Sequence, residues 1–105
     1  MLRGIKPDET KKNLEQIINI AKNKKIKIIL AGMVAPSTLG KKYKRDFDDI
    51  YPKLSKKYNL PLIPFLLEGV ALNPNLNQKD GIHPNKEGTI KVSDTIKKSI
   101  INILN

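Results

Sequence analysis

The stretch "QKDGIHPNKEG" (residues 78–88) holds the only histidine of the chain, His83, with Asp80 three residues before it and Gly81 between them. A carboxylate and an imidazole so placed can do acid–base work. One ring nitrogen takes a proton, while the carboxylate holds the other nitrogen, selecting the tautomer and stabilising the imidazolium. Gly81 reaches backbone angles closed to most residues, so a tight turn can fold Asp80 back beneath His83. The same residues also fit a plain Asp-Gly turn ahead of a helix cap, with a surface histidine in it. On "DGIHP" alone that is the simpler reading.

Such a pair needs elements to hold it. Pro7 and Asp8 make a helix start, and Leu14, Ile17, Ile18 and Ala21 follow at helical spacing until Lys24. "IKIILAGM" (26–33) is short, β-branched and nearly all apolar, as a strand covered on both faces should be. "VAPSTLGKK" reads as a loop marked by Pro36 and Gly40. From Lys41 to Tyr58, the residues Phe47, Ile50, Tyr51 and Leu54 share one helical face, with a kink expected at Pro52. "LPLIPF" (60–65) reads as a second buried strand despite Pro61 and Pro64. A polar loop comes next, then a helix capped by Asn85 and running to about Leu104. Ile90, Ile96, Ile100, Ile101 and Leu104 are expected on its inner face. The order α-β-α-β-loop-α argues for an α/β layered fold with parallel strands. Three helices on two strands is too much cover for so little sheet, so the pattern resembles the back part of a larger domain.

Length and composition narrow the function classes. The 105 residues suffice for one small domain with one core, and the chain has no cysteine, which excludes disulfides and thiolate metal sites. One histidine among scattered carboxylates offers no metal-ligand set, and no cofactor is expected. No stretch is apolar for long enough to span a bilayer, so stable membrane insertion is not expected. The net charge of +10 invites a nucleic-acid reading. Yet 18 of the 20 basic residues are lysine, only Arg3 and Arg45 being arginine, and aromatics for stacking bases are few. A solvated lysine-rich surface is the better account, and no nucleic-acid partner is expected.

The chain as a whole resembles the C-terminal portion of an SGNH (GDSL-type) hydrolase, in the bacterial thioesterase, lysophospholipase and arylesterase branch. The similar stretches are "LRG" (2–4), "IYPKL" (50–54), "LPLIPF" (60–65) and "DGIHPN" (80–85), in the order that branch has them. The resemblance implies a three-layer α/β/α, flavodoxin-like fold with a parallel sheet, here about two strands and three helices. Residues 1–105 would form the C-terminal part of one such domain. "DGIHPN" matches the family's D-x-x-H block, which makes Asp80 the orienting acid and His83 the general base. The implied substrate is a small acyl ester or thioester. Val34, Pro36, Phe65 and Leu66 would border the acyl chain, although core packing accounts for such residues more simply.

The departures matter too. The family's nucleophilic serine sits in a G-D-S block, and its oxyanion donors include the asparagine of a G-x-N-D block; the sequence contains neither. The expectation is a chain lacking the first strands and the nucleophile, inactive by itself and prone to self-association through uncovered apolar surface. Ser37, in "VAPSTLG", has no G-x-S-x-G elbow around it, and Ser55, Ser93 and Ser99 fall within helices. Two further readings stay open: a non-catalytic α/β interaction module and, behind it, a basic nucleic-acid binder. Relatives of this branch are often periplasmic, which implies a periplasmic or secreted parent protein.

Overall fold

A computed structural model describes residues 5–104. The chain divides into two compact units, the first ending at Pro64 and the second beginning at Phe65. Of the four family-like stretches, "LRG" lies outside the described residues.

In the first unit, α1 (Pro7–Asn23) starts where the sequence predicts, with Pro7 in its first turn and Asp8 and Glu9 against the positive helix end. The chain then extends into β1 (Leu30–Ala31), and after a single 3₁₀ turn come α2 (Lys41–Asp48), α3 (Ile50–Tyr58) and β2 (Leu62–Ile63). The two strands are parallel, with Leu30 opposite Leu62 and Ala31 opposite Ile63. The paired segment is shorter than the apolar runs suggest. Leu30 N–H donates to the Pro61 carbonyl at 2.9 Å and Gly32 N–H to the Ile63 carbonyl at 2.7 Å. The next rung toward the N-terminus would need an N–H from Pro61, which has none.

The expected single helix over 41–58 is two helices. The break falls at Asp49, not at Pro52. Proline's ring collides with the carbonyl four residues earlier, so the chain ends α2 at Asp48 and restarts. Pro52 then lies in the first turn of α3, where an N–H has no helical partner to lose. The apolar face survives the break: Phe47, Ile50, Tyr51 and Leu54 are all buried. With Ile18, Leu30 and Ala35 they form the core of this unit, packed around by Leu14, Met33 and Leu62. Ile17, expected inward, is instead 62% exposed. Asn59 closes α3 in the left-handed conformation, at φ 53°, a cap that asparagine tolerates better than most side chains.

The second unit runs through turns over 66–72, a 3₁₀ turn at Pro74–Leu76 and α4 (Lys86–Leu104). Asn85 caps α4 as expected, its Oδ1 accepting from the Gly88 N–H at 2.9 Å. The inner face of α4 is the one expected at Ile96 and Ile100 but not at the other three positions. Ile90, Ile101 and Leu104 are exposed, while Gly88, Val92, Ile96, Ile100 and Ile103 are buried or half-buried. The reason lies at the first turn. A Cβ on Gly88 would run into the Leu76 carbonyl oxygen, so the helix seats this bare position against the 3₁₀ turn. That contact sets the helix rotation. No helix among the described residues is long and apolar enough to cross a membrane.

Candidate active site

The turn over 78–83 hangs from a short antiparallel base. Asn77 and Pro84 pair across it, and Gln78 N–H donates to the His83 carbonyl at 2.8 Å. Gly81 sits at φ +70°, a conformation that side-chain-bearing residues rarely adopt, and its N–H returns to the Gln78 carbonyl at 2.9 Å. This reversal aims the Asp80 carboxylate forward along the chain, at Ile82 and His83. Asp80 Oδ1 accepts their two amides at 2.9 and 3.0 Å, and Oδ2 lies 2.7 Å from His83 Nδ1.

Charge and hydrogen bonding act together on that carboxylate. The imidazole hydrogen bond, reinforced by the two backbone amides, draws the Asp80 carboxyl down from 3.8 to about 2. At neutral pH Asp80 is therefore an anion, which accepts and cannot donate, so Nδ1 carries the proton of their hydrogen bond. The other ring nitrogen, Nε2, is the one left to exchange a proton, and it has no hydrogen-bond partner among the described residues. A nitrogen so held can accept a proton from a hydroxyl. Both side chains are open to solvent, His83 at 70% and Asp80 at 42%. An exposed pair adds little to stability, so the turn beneath it must supply its geometry.

The other expected site residues are distributed between the units. Val34 and Pro36 flank Ala35 in the loop after β1, in the first unit. That loop is pinned: Ala35 N–H donates to Asp48 Oδ1 at 2.7 Å, and its carbonyl accepts from Lys44 Nζ at 2.8 Å. Lys44 and Asp48, one helical turn apart on α2, pair at 2.8 Å. Their i,i+4 spacing was visible in the sequence, but their hold on Ala35 was not. Phe65 and Leu66 open the second unit and are half-buried. Beside the Asp80 turn is an open cavity of 420 Å³, walled by Leu72, Pro74, Asn77, Gln78 and Gly81 among others. None of the four expected pocket residues lines it. Ser37 is exposed in a 3₁₀ turn, and Ser55 Oγ donates to the Leu60 carbonyl at 2.6 Å, closing the end of α3. No three metal-ligating side chains gather among the described residues.

Residues 6–96 match the GDSL-like lipase/acylhydrolase family. The chain belongs to that family. It is 36% identical over 104 residues to thioesterase 1/protease 1/lysophospholipase L1 of Escherichia coli K12, covering 99% of this chain and 50% of that protein. An arylesterase of Vibrio mimicus is 31% identical, over 98% of this chain and 52% of its own length. Among solved structures, the psychrotrophic esterase EstA from Pseudoalteromonas sp. superimposes with a TM-score of 0.91 at 26% identity. That match covers 99% of this chain and 57% of the other. The chain thus spans about half the length of the curated relatives it matches. The α/β fold with parallel strands is that of the SGNH esterases.

Proposed function

We propose that this family member supplies the acid–base half of a serine-type hydrolase acting on small carboxylic esters or thioesters. His83 Nε2 takes the proton of a serine hydroxyl as it attacks the acyl carbon, then returns it to the leaving group. Asp80 holds Nδ1–H and so keeps the receiving nitrogen free. The serine and the oxyanion donors come from residues outside these 105, and the chain alone does not turn over. Val34, Pro36, Phe65 and Leu66 contact the acyl chain in the assembled site. The observation that supports the reading is the 2.7 Å contact between Asp80 Oδ2 and His83 Nδ1, within a turn whose backbone fixes both.

The test is complementation. The N-terminal half of the E. coli relative is fused ahead of this chain or co-expressed with it, and hydrolysis of a short-chain aryl ester is followed. Activity should appear in the assembly and in neither part alone. Loss of a triad member leaves only the residual catalysis of binding and oxyanion donors, so His83→Ala should cost about 10⁴-fold or more. Asp80→Asn should cost as much or less, because the base remains but its tautomer is no longer set. A folded, active assembly indifferent to His83→Ala would end the assignment. Turnover by the unaided chain, abolished by Ser37→Ala, would place the nucleophile within these residues instead.

A further inference from the structure

Two residues beyond His83, Asn85 makes more bonds than a helix cap requires. Its Oδ1 accepts the Gly88 N–H at 2.9 Å, which is the cap. Its Nδ2 donates to the Asn75 carbonyl at 2.8 Å and to the Asn77 carbonyl at 3.4 Å. Its own N–H donates to the Leu76 carbonyl at 2.9 Å. The amide orientation is set by its partners, since the Gly88 N–H can only donate and the two carbonyls can only accept. One side chain therefore joins the start of α4, the 3₁₀ turn at 74–76 and the arm at Asn77. That arm pairs with Pro84 and leads directly into Gln78, whose N–H holds the His83 carbonyl.

From this geometry we infer that Asn85 is a positioning residue for the Asp80–His83 pair, acting through the base of their turn. The inference rests on the proposed function for its catalytic meaning, though not for its structural test. The solvent-exposed pair cannot fix itself, because a hydrogen bond between exposed groups competes with water at every moment. Its orientation must come from the backbone, and the backbone turn is anchored to rigid structure at Asn85. α4 is the anchor, nineteen residues long and capped by the same side chain. The arm over 75–77 is what that anchor holds still.

Asn85→Asp separates the two roles. Aspartate caps a helix as well as asparagine does and keeps nearly the same shape, but it turns an oxygen toward two carbonyls in place of an amide donor. The cap survives and the clamp is lost. The experiment uses the intact ¹⁵N-labelled chain, whose single histidine makes the imidazole signals unambiguous. Amide hydrogen exchange is read at Gln78 and His83 on the turn and at Thr89, whose N–H donates to the Asn85 carbonyl at 2.8 Å in α4. Loss of one or two hydrogen bonds should speed exchange at Gln78 and His83 by about tenfold. Thr89 should exchange as before, and the imidazole should shift from the Nδ1–H tautomer to a mixture. Asn85→Ala, which loses the cap as well, should speed all three.

Unchanged exchange and tautomer in Asn85→Asp would overturn the inference, leaving a cap and nothing more. An equal rise at Thr89 would overturn it too, as the sign of a lost helix start. So would a wild-type imidazole already split between tautomers, since no held geometry would exist to lose. In the complemented assembly the same variant should lower kcat about tenfold with KM unchanged. If the assembly never hydrolyses ester while the exchange results hold, the proposed function fails and the positioning role stands.

Discussion

His83 Nδ1 and Asp80 Oδ2 are 2.7 Å apart, and the other oxygen of the same carboxylate accepts the amides of Ile82 and His83. One carboxylate thus serves as both the floor of the turn and the partner of the ring. The bonds to Oδ1 fix where the carboxylate lies, and the bond to Oδ2 then fixes the ring. Breaking the turn and misorienting the imidazole are therefore one event.

Acid should undo this arrangement within a defined window. The Asp80 carboxyl is drawn from 3.8 to about 2 in the folded turn. A depressed carboxylate stabilises the fold above its unfolded value and loses that contribution as pH falls through its folded value. The turn should be at full strength above about pH 4 and weaken progressively toward pH 2. A ¹³C titration of the Asp80 carboxyl reads this directly. A midpoint near the ordinary aspartate value would contradict it. Asp80→Asn should remove this part of the pH dependence.

Gly81→Ala should weaken the turn, and with it the hold on the pair, without removing either side chain. At φ +70° an added Cβ meets no neighbouring atom, so the penalty is conformational alone. It should be roughly 1–2 kcal/mol, the cost of a left-handed residue bearing a Cβ. Amide exchange at Ile82 and His83 measures it, and no acceleration would mean that the turn does not depend on glycine.

Gly88→Ala tests a different constraint, close approach. A Cβ there meets the Leu76 carbonyl oxygen, which is backbone and cannot rotate aside. Displacing α4 from the 3₁₀ turn should cost about 1–3 kcal/mol, as overpacking does elsewhere. Urea denaturation followed by helix circular dichroism gives the value. A neutral result would show that Gly88 does not set the rotation of α4.

Phe47→Ala, in the first unit, should be the most damaging of these substitutions. The ring is fully buried, lies parallel to Tyr43 with centroids 6.2 Å apart and meets Tyr51 edge-on at 5.8 Å. Its removal should cost about 3–5 kcal/mol in urea unfolding. A loss under about 1 kcal/mol would mean that the core refills the space.

Much of the architecture is legible from neighbouring residues alone. Local rules sufficed for the start of α1 at Pro7, the Asn85 cap, the buried face from Phe47 to Leu54 and the Asp-Gly turn before His83. In each, the residues that decide the structure are close in the chain, so spacing and residue type carry the information. Other features rest on partners distant in sequence. That Ile17 and Ile90 face solvent emerges on folding, because periodicity defines an apolar stripe without saying which edge of it is covered. The rotation of α4 comes from Gly88 meeting Leu76, the fixing of the loop at Ala35 from Asp48 on α2, and the length of β1 from the missing N–H of Pro61. Asn85 belongs to both kinds. Its cap lies three residues away and could be read from sequence, whereas its grip on Asn75 and Asn77 exists only once the chain has folded back, since hydrogen-bond partners are chosen by position in space.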